Sequence, residues 1–178
     1  MQNSSLIATQ IQRVLIFPAR TPMVADRRVY FLFSMRQTED IVMTASIMPV
    51  PLSRPFIKGV TQWRDKVVPV ISLEECLGLE SSNSSKYTRL AVVQTAKKDA
   101  VQLSNYRIML QVDPHIRVLT LPIECDLVSD EWIPAGHLTK GVYEWGNKFL
   151  VVAHMEKILD GAMADGQKKE QVCIESQH

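Results

Sequence analysis

The sequence predicts an all-β fold with a few short helices, arranged as two similar small β-barrel lobes. Three observations carry this. Nine short runs of β-branched, aromatic and aliphatic residues follow one another, bounded mostly by Pro, Gly, Asn, Asp or Ser. Helical periodicity is confined to a few brief stretches. One stretch of twenty residues occurs twice, at a constant offset of 82 and without a gap.

Taken in order, residues 1–12 form an N-terminal extension. There Leu6, Ile7 and Ile11, with Val14 and Leu15, fit one face of a short helix running into the first strand. The strands follow at 14–17 and 29–33. Ser34 is placed to cap a short helix over "MRQTEDIV". Strands at 59–63 and 67–71 make a hairpin, in which Pro69 cannot donate to a ladder and so argues for an edge or bulged position. Ser72 then caps a short helix, with Glu75 to complete a capping box and Gly78 as the stop. "SSNSSK", 81–86, is a solvated connector between lobe one, about 13–80, and lobe two, about 87–160. Lobe two has strands at 90–95, 106–112, 116–119, 141–145 and 149–153, then a short helix over "MEKILDG" after His154. Several runs, "YRIMLQV" among them, are apolar on both faces, which suits strands shared between packed sheets. The exchange of strands between lobes is left open. Residues 161–178 have no apolar period and form a flexible tail.

The bulk numbers exclude several classes of function. The chain has 178 residues, 46% hydrophobic and 22% charged, a globular composition that needs no disulfide or metal to fold. Twenty basic against nineteen acidic residues leave a net charge of +1, which calls for neither nucleic acid nor an anionic membrane. Cys76, Cys125 and Cys173 are too widely spaced for a disulfide framework or a zinc set, and read as reduced thiols. The N-terminus lacks a signal-peptide pattern and no apolar run is long enough to span a bilayer. The expectation is a cytoplasmic protein.

The repeat sharpens one feature. "KGVTQWRDKVVPVISLEECL" (58–77) matches "KGVYEWGNKFLVVAHMEKIL" (140–159) at eight identical positions. Each unit is strand, two-residue turn, strand, short helix. In the second copy the turn is Gly146-Asn147, where glycine supplies the positive φ of a II′ turn. The first copy turns at Arg64-Asp65, and arginine tolerates that conformation poorly. Polar residues suit any tip, so a purely structural reading stands beside a functional one. In the functional reading, Arg64 presents a planar fork of donors to a partner's carboxylate or carbonyl.

These residues resemble the CheW-like domain family of bacterial chemotaxis. "PVPLSRPFIKGVTQWRDKVVPVISLEECLGLE" follows its proline-containing loop, apolar strand with glycine, arginine turn, "φ-φ-P-φ-φ" strand and short helix. "LQVDPHIRVL" (110–119) and "KGVYEWGNKFLVVAHMEKIL" match its second lobe. The resemblance covers about residues 13–160. It implies two packed five-stranded SH3-like barrels, no enzymatic activity and no cofactor. It also implies an adaptor that joins a chemoreceptor's cytoplasmic tip to the regulatory domain of a CheA-type histidine kinase, often in membrane-associated receptor arrays. The family arginine at the partner surface falls on Arg64, flanked by Trp63 and Asp65. The family's "V-x-E-I" segment falls on "TEDI", so Thr38, Asp40 and Ile41 join the expected partner-binding residues. The chain departs from the family where the turn glycine is Asp65, and where Ser72 and His154 replace the aspartates opening the short helices. The alternative expectation is a regulatory or structural subunit of a pilus-motility or other signalling complex.

Catalytic signatures are lacking. His115, His137, His154 and His178 have no ligand spacing, and His154 reads as a hydrogen-bonded structural residue at a helix start. No P-loop, G-x-S-x-G or dinucleotide fingerprint occurs. Glu39-Asp40 reads as a solvated helix face. Met43, Met48, Met109 and Met155 are expected to fill core gaps, though exposed methionines would suit a helix-binding groove.

Overall fold

In the computed structural model, which describes residues 12–81, 89–98 and 103–161, eleven strands build two sheets. The strands are β1 (Gln12–Pro18), β2 (Arg28–Ser34), β3 (Thr38–Val42), β4 (Ile57–Trp63), β5 (Lys66–Ile71), β6 (Arg89–Lys98), β7 (Leu103–Val112), β8 (Arg117–Leu121), β9 (Asp126–Val128), β10 (Thr139–Trp145) and β11 (Lys148–Ala153). A one-turn helix α1 (Leu73–Cys76) follows β5, and a second helix, α2, begins at Met155 after β11. The N-terminal helix expected before β1, most of the Ser-rich connector and the tail lie outside the described residues.

The five-stranded sheet runs β3-β6-β7-β5-β4 and the six-stranded sheet β8-β1-β2-β11-β10-β9. Each has the same plan. An antiparallel pair (β6·β7 or β1·β2) carries a third strand on one side, and on the other a hairpin whose second strand joins in parallel. The two halves of the chain therefore exchange strands. The first half gives β1 and β2 to one sheet and β3 to β5 to the other; the second half does the converse. β9 is the extra strand of the larger sheet.

This exchange explains the doubly apolar runs. Side chains alternate across a strand, so each central strand faces two cores. From β2, Tyr30 faces an inner cluster with Ile16 and Leu150, while Val29, Phe31 and Phe33 face the core between the sheets. From β7, Met109 joins Trp63, Val68, Val70, Leu90 and Val92 inside the smaller sheet, while Ile108, Leu110 and Val112 enter the shared core. The smaller sheet rolls up because the chain beyond β3 returns to β4, where Met48 and Val60 exchange N–H···O bonds of 2.8 Å.

The repeat is reproduced down to its irregularities. Ile57↔Ile71 then Gly59↔Val70 skips Lys58; Thr139↔Ala153 then Gly141↔Val152 skips Lys140. The bulge thus falls at the same place in both hairpins, and the helices start at equivalent residues, Leu73 and Met155.

Several local expectations are corrected. "MRQTEDIV" is a turn followed by β3, not a helix: the Ser34 hydroxyl accepts from the Arg36 N–H at 3.2 Å, capping a turn, and Thr38, Ile41 and Val42 supply β-branched residues to the strand. Pro69 lies in an interior strand. Counted from the turn, Val60↔Pro69 is a non-hydrogen-bonded pair, so the Pro69 nitrogen faces β7. There the parallel ladder forms only at Val70↔Met109 and Ile71↔Leu110, and no bond is lost. At α1, Ser72 caps the Glu75 N–H, but the Glu75 carboxylate turns to Lys58 Nζ at 2.6 Å instead of closing a box. Buried Glu74 holds Arg20, at 3.1 Å, and the Ser72 hydroxyl, tying the end of β1 to α1. His154 is hydrogen-bonded through its backbone, to Leu138 O at 2.7 Å, whereas its Nδ1 is buried without a partner among the described residues. Met109 and Met155 are core residues, but Met43 and Met48 are 64% and 55% exposed, because the β3–β4 connection runs over the surface.

Candidate partner-binding site

The two hairpin tips differ in one residue that matters. Gly146 has φ 58 and its counterpart Arg64 has φ 52. An L-residue in this region costs roughly 1–2 kcal/mol. Arg64 is exposed, and its guanidinium lies 4.2 Å from the centre of the Trp63 ring. It makes no ion pair among the described residues. Asp65 beside it is exposed as well.

Trp63 is 8% exposed and belongs to the inner cluster of the smaller sheet. It is the platform under Arg64 more than a surface in its own right. Its Nε1 makes a long hydrogen bond, 3.4 Å, to Asp40 Oδ2. The structure thus brings Trp63, Arg64 and Asp40 together, although β3 and β4 are opposite edges of one sheet. Asp40 is exposed and its Oδ1 accepts from the Ile41 N–H at 2.8 Å. Ile41 is half-buried, paired with Ala91. Thr38 is turned back, its hydroxyl 3.4 Å from Ser34 O.

Two residues that sequence reasoning did not assign to the site complete it. Arg107, on β7, lies 5.9 Å from the Trp63 ring centre and donates to Glu39 Oε2 at 2.9 Å. That hydrogen bond raises the Arg107 pKa above its ordinary value. Glu39 reaches Arg107 because β3 bulges between Thr38 and Asp40. The platform therefore carries two guanidinium groups, one with its own carboxylate and one without. No signal in the sequence joined Arg107 to this region, since the pairing spans 68 residues.

Next to the tip is a concavity. In the larger sheet the parallel ladder runs to the tip, from Val151↔Phe31 to Lys148↔Arg28. In the smaller sheet β5 and β7 part below Val70. The gap is a cleft of about 300 Å³ lined by Lys66, Val67, Val68, Pro69, Asn105, Tyr106, Arg107 and Leu159. Val67 is 69% exposed at its mouth. Exposed Val67 at the mouth, Arg107 in the lining and Arg64 at the neighbouring tip suit a protein partner that offers both an apolar anchor and a carboxylate.

The described residues contain no group of three metal-ligating side chains and no helix long and apolar enough to cross a membrane. Cys76 is buried, and burial pushes its thiol up to about 11, so it is not a thiolate near neutral pH.

Two rolled sheets with exchanged strands, carrying an arginine-tipped hairpin, define a β-barrel interaction module. The sequence matches the CheW-like domain over residues 21–163, and the chain belongs to that family. It is 25% identical over 128 residues to the "Chemotaxis protein CheW" of Thermotoga maritima, covering 72% of this chain and 79% of that protein. The crystal structure of scaffolding protein TtCheW from Thermoanaerobacter tengcongensis superposes with a TM-score of 0.62 at 18% identity, over 88% of this chain and 93% of that one. The expected fold class stands: mostly β, in two small packed barrels.

Proposed function

We propose that this chain is a non-enzymatic adaptor that joins the cytoplasmic tip of a methyl-accepting chemoreceptor to the regulatory domain of a CheA-type histidine kinase. It acts in the cytoplasm, recruited to receptor arrays at the membrane. Family membership supports the adaptor class. The observation that carries the site is Arg64: an exposed arginine held at φ 52 on a tryptophan platform, where the repeat has glycine. Strain at an exposed position is retained where the side chain is used.

In mechanism, nothing is bonded or cleaved. The cleft between β5 and β7 takes an apolar side chain of the partner, and Arg64 fixes the register through a carboxylate or carbonyl. Arg107 stays held by Glu39 and shapes the rim. The test is Arg64→Glu, with pull-down against the purified kinase regulatory domain and the receptor's cytoplasmic fragment. The fold, read by circular dichroism, stays intact and association weakens. Unchanged association with an intact fold would remove Arg64 from the interface. Co-purification with pilus-motility proteins, and with neither receptor nor kinase, would move the chain to a different complex.

A further inference from the structure

A polar cleft of about 320 Å³ lies where the two sheets meet. Arg36 and Gln37 reach it from the turn between β2 and β3, Thr95 from β6, Asn105 from β7, and Lys140 from the bulge of β10. Glu156 of α2 lines it as well, and Asn105 is the one lining residue it shares with the cleft beside Arg64. Arg36 is fixed through its backbone. Gln94 donates from its side-chain amide to Arg36 O at 3.2 Å and from its N–H to Gln37 O at 2.8 Å. Among the described residues, Arg36, Lys140 and Glu156 make no ion pair. Thr95 is only 6% exposed, and its hydroxyl has no hydrogen-bond partner among those residues. A buried hydroxyl of this kind calls for a partner within the cleft.

The repeat shows that a free lysine is not a requirement of the bulge. In the first hairpin the skipped residue, Lys58, donates to Pro55 O at 3.1 Å and to Glu75 Oε1 at 2.6 Å. At the offset of 82, Lys58, Pro55 and Glu75 become Lys140, His137 and Lys157. The helix carboxylate is thus a lysine in the second copy. It is Lys157 Nζ that donates to the equivalent carbonyl, His137 O, at 3.2 Å. Lys140 has lost both partners of its counterpart and lines the cleft instead.

We propose that this cleft binds a small hydroxy-carboxylate of single negative charge, held between Arg36 and Lys140. The charge follows from the lining. Two cations and one carboxylate leave one positive charge, and a dianion would meet Glu156 uncompensated. A guanidinium fork matches a carboxylate with two parallel bonds. Gln37, Asn105 and the Thr95 hydroxyl face the ligand's hydroxyl groups, and Glu156 accepts from one of them. The volume, at the small end for ligand sites, suits a single metabolite. Such a ligand bridges the sheets, since Thr95 and Asn105 belong to the smaller and Lys140 to the larger.

The experiment titrates the isotope-labelled full chain with sodium D-gluconate at constant ionic strength, following amide signals by NMR. Sorbitol, which lacks the carboxylate, and inorganic phosphate are titrated in parallel. Gluconate shifts the Thr95 and Asn105 signals saturably, sorbitol does not, and phosphate binds at least threefold more weakly. Lys140→Gln lowers gluconate affinity about tenfold or more. Lys157→Glu, outside the cleft, restores the charge pattern of the first hairpin, draws Lys140 away and lowers affinity as much. Lys157→Gln leaves it unchanged. All three variants keep the parent's thermal midpoint to within a few degrees. Absence of saturable shifts with gluconate overturns the inference. Sorbitol or phosphate binding as tightly as gluconate overturns the ligand class. Unchanged affinity in Lys140→Gln or Lys157→Glu overturns the role given to Lys140. None of these outcomes alters the adaptor reading, which rests on Arg64 and the family.

Discussion

At one hairpin tip stands Gly146 at φ 58, and at the other Arg64 at φ 52. The two hairpins share a register, a bulge position, a tryptophan and a lysine, and both lead into a helix. What differs is what each tip adds to the shared frame. The second hairpin has easy turn chemistry and a parallel ladder closed to its end. The first has a strained arginine and a ladder that opens into a cleft. A duplicated unit makes its own control: the second copy shows what the fold requires, and departures in the first show what folding alone does not explain.

The comparison is broken most strongly at the shared bulge glycine. Gly59 has φ 144, and a Cβ there would stand inside contact distance of the Met48 carbonyl that closes the barrel. Gly59→Ala is expected to lose about 3 kcal/mol or more. The nearest atoms a Cβ on Gly141 would meet belong to the Tyr143 side chain, at 3.2 Å, and Gly141→Ala is expected to lose about 1 kcal/mol. Urea denaturation midpoints of the pair test this. Equal losses would mean that the two bulges are energetically alike.

Next in size is the binding loss of Arg64→Glu. Reversing the charge at an anchor is expected to weaken affinity for at least one of the two proposed partners by about 2 kcal/mol, some thirtyfold, in a titration. Moving the arginine to the other tip is smaller and acts on stability. Gly146→Arg is expected to lose roughly 1–2 kcal/mol in a thermal melt, the cost of an L-residue at that φ, and to gain no affinity. The smallest effect belongs to Asp65→Asn, which copies the second turn residue of the other hairpin. Its stability should stay within about 0.5 kcal/mol of the parent.

The fold was legible where the signal was local. The strand runs, the Ser72 cap, the Gly78 stop at φ 75 and the repeat all reappear in place. The strand exchange was not, because β11 pairs with β2 and β5 with β7 over long separations that leave no local trace. Pro69 misled because proline reports a missing donor, and here an opened ladder supplies that as well as an edge does. Met43 and Met48 misled because apolarity does not reveal exposure in a surface connection. In the candidate site, the repeat and the family pattern singled out Trp63, Arg64 and Asp40, and the structure brings them together. Arg107 and Glu39 were not singled out, since a bulge in β3 and the closing of the barrel bring them there.

The central claim is that Arg64 is kept for a partner at the expense of the turn. Arg64→Gly tests it most directly, because it separates the two roles in one variant. Relief of roughly 1–2 kcal/mol of backbone strain is offset by glycine's freedom in the unfolded chain and by the lost stacking on Trp63. Stability should therefore match the parent to within about 1 kcal/mol, while affinity for the partner that Arg64 contacts, the kinase regulatory domain or the receptor fragment, falls about tenfold. A variant that binds as tightly as the parent, with the same stability, would show that the arginine is only a tolerated turn residue.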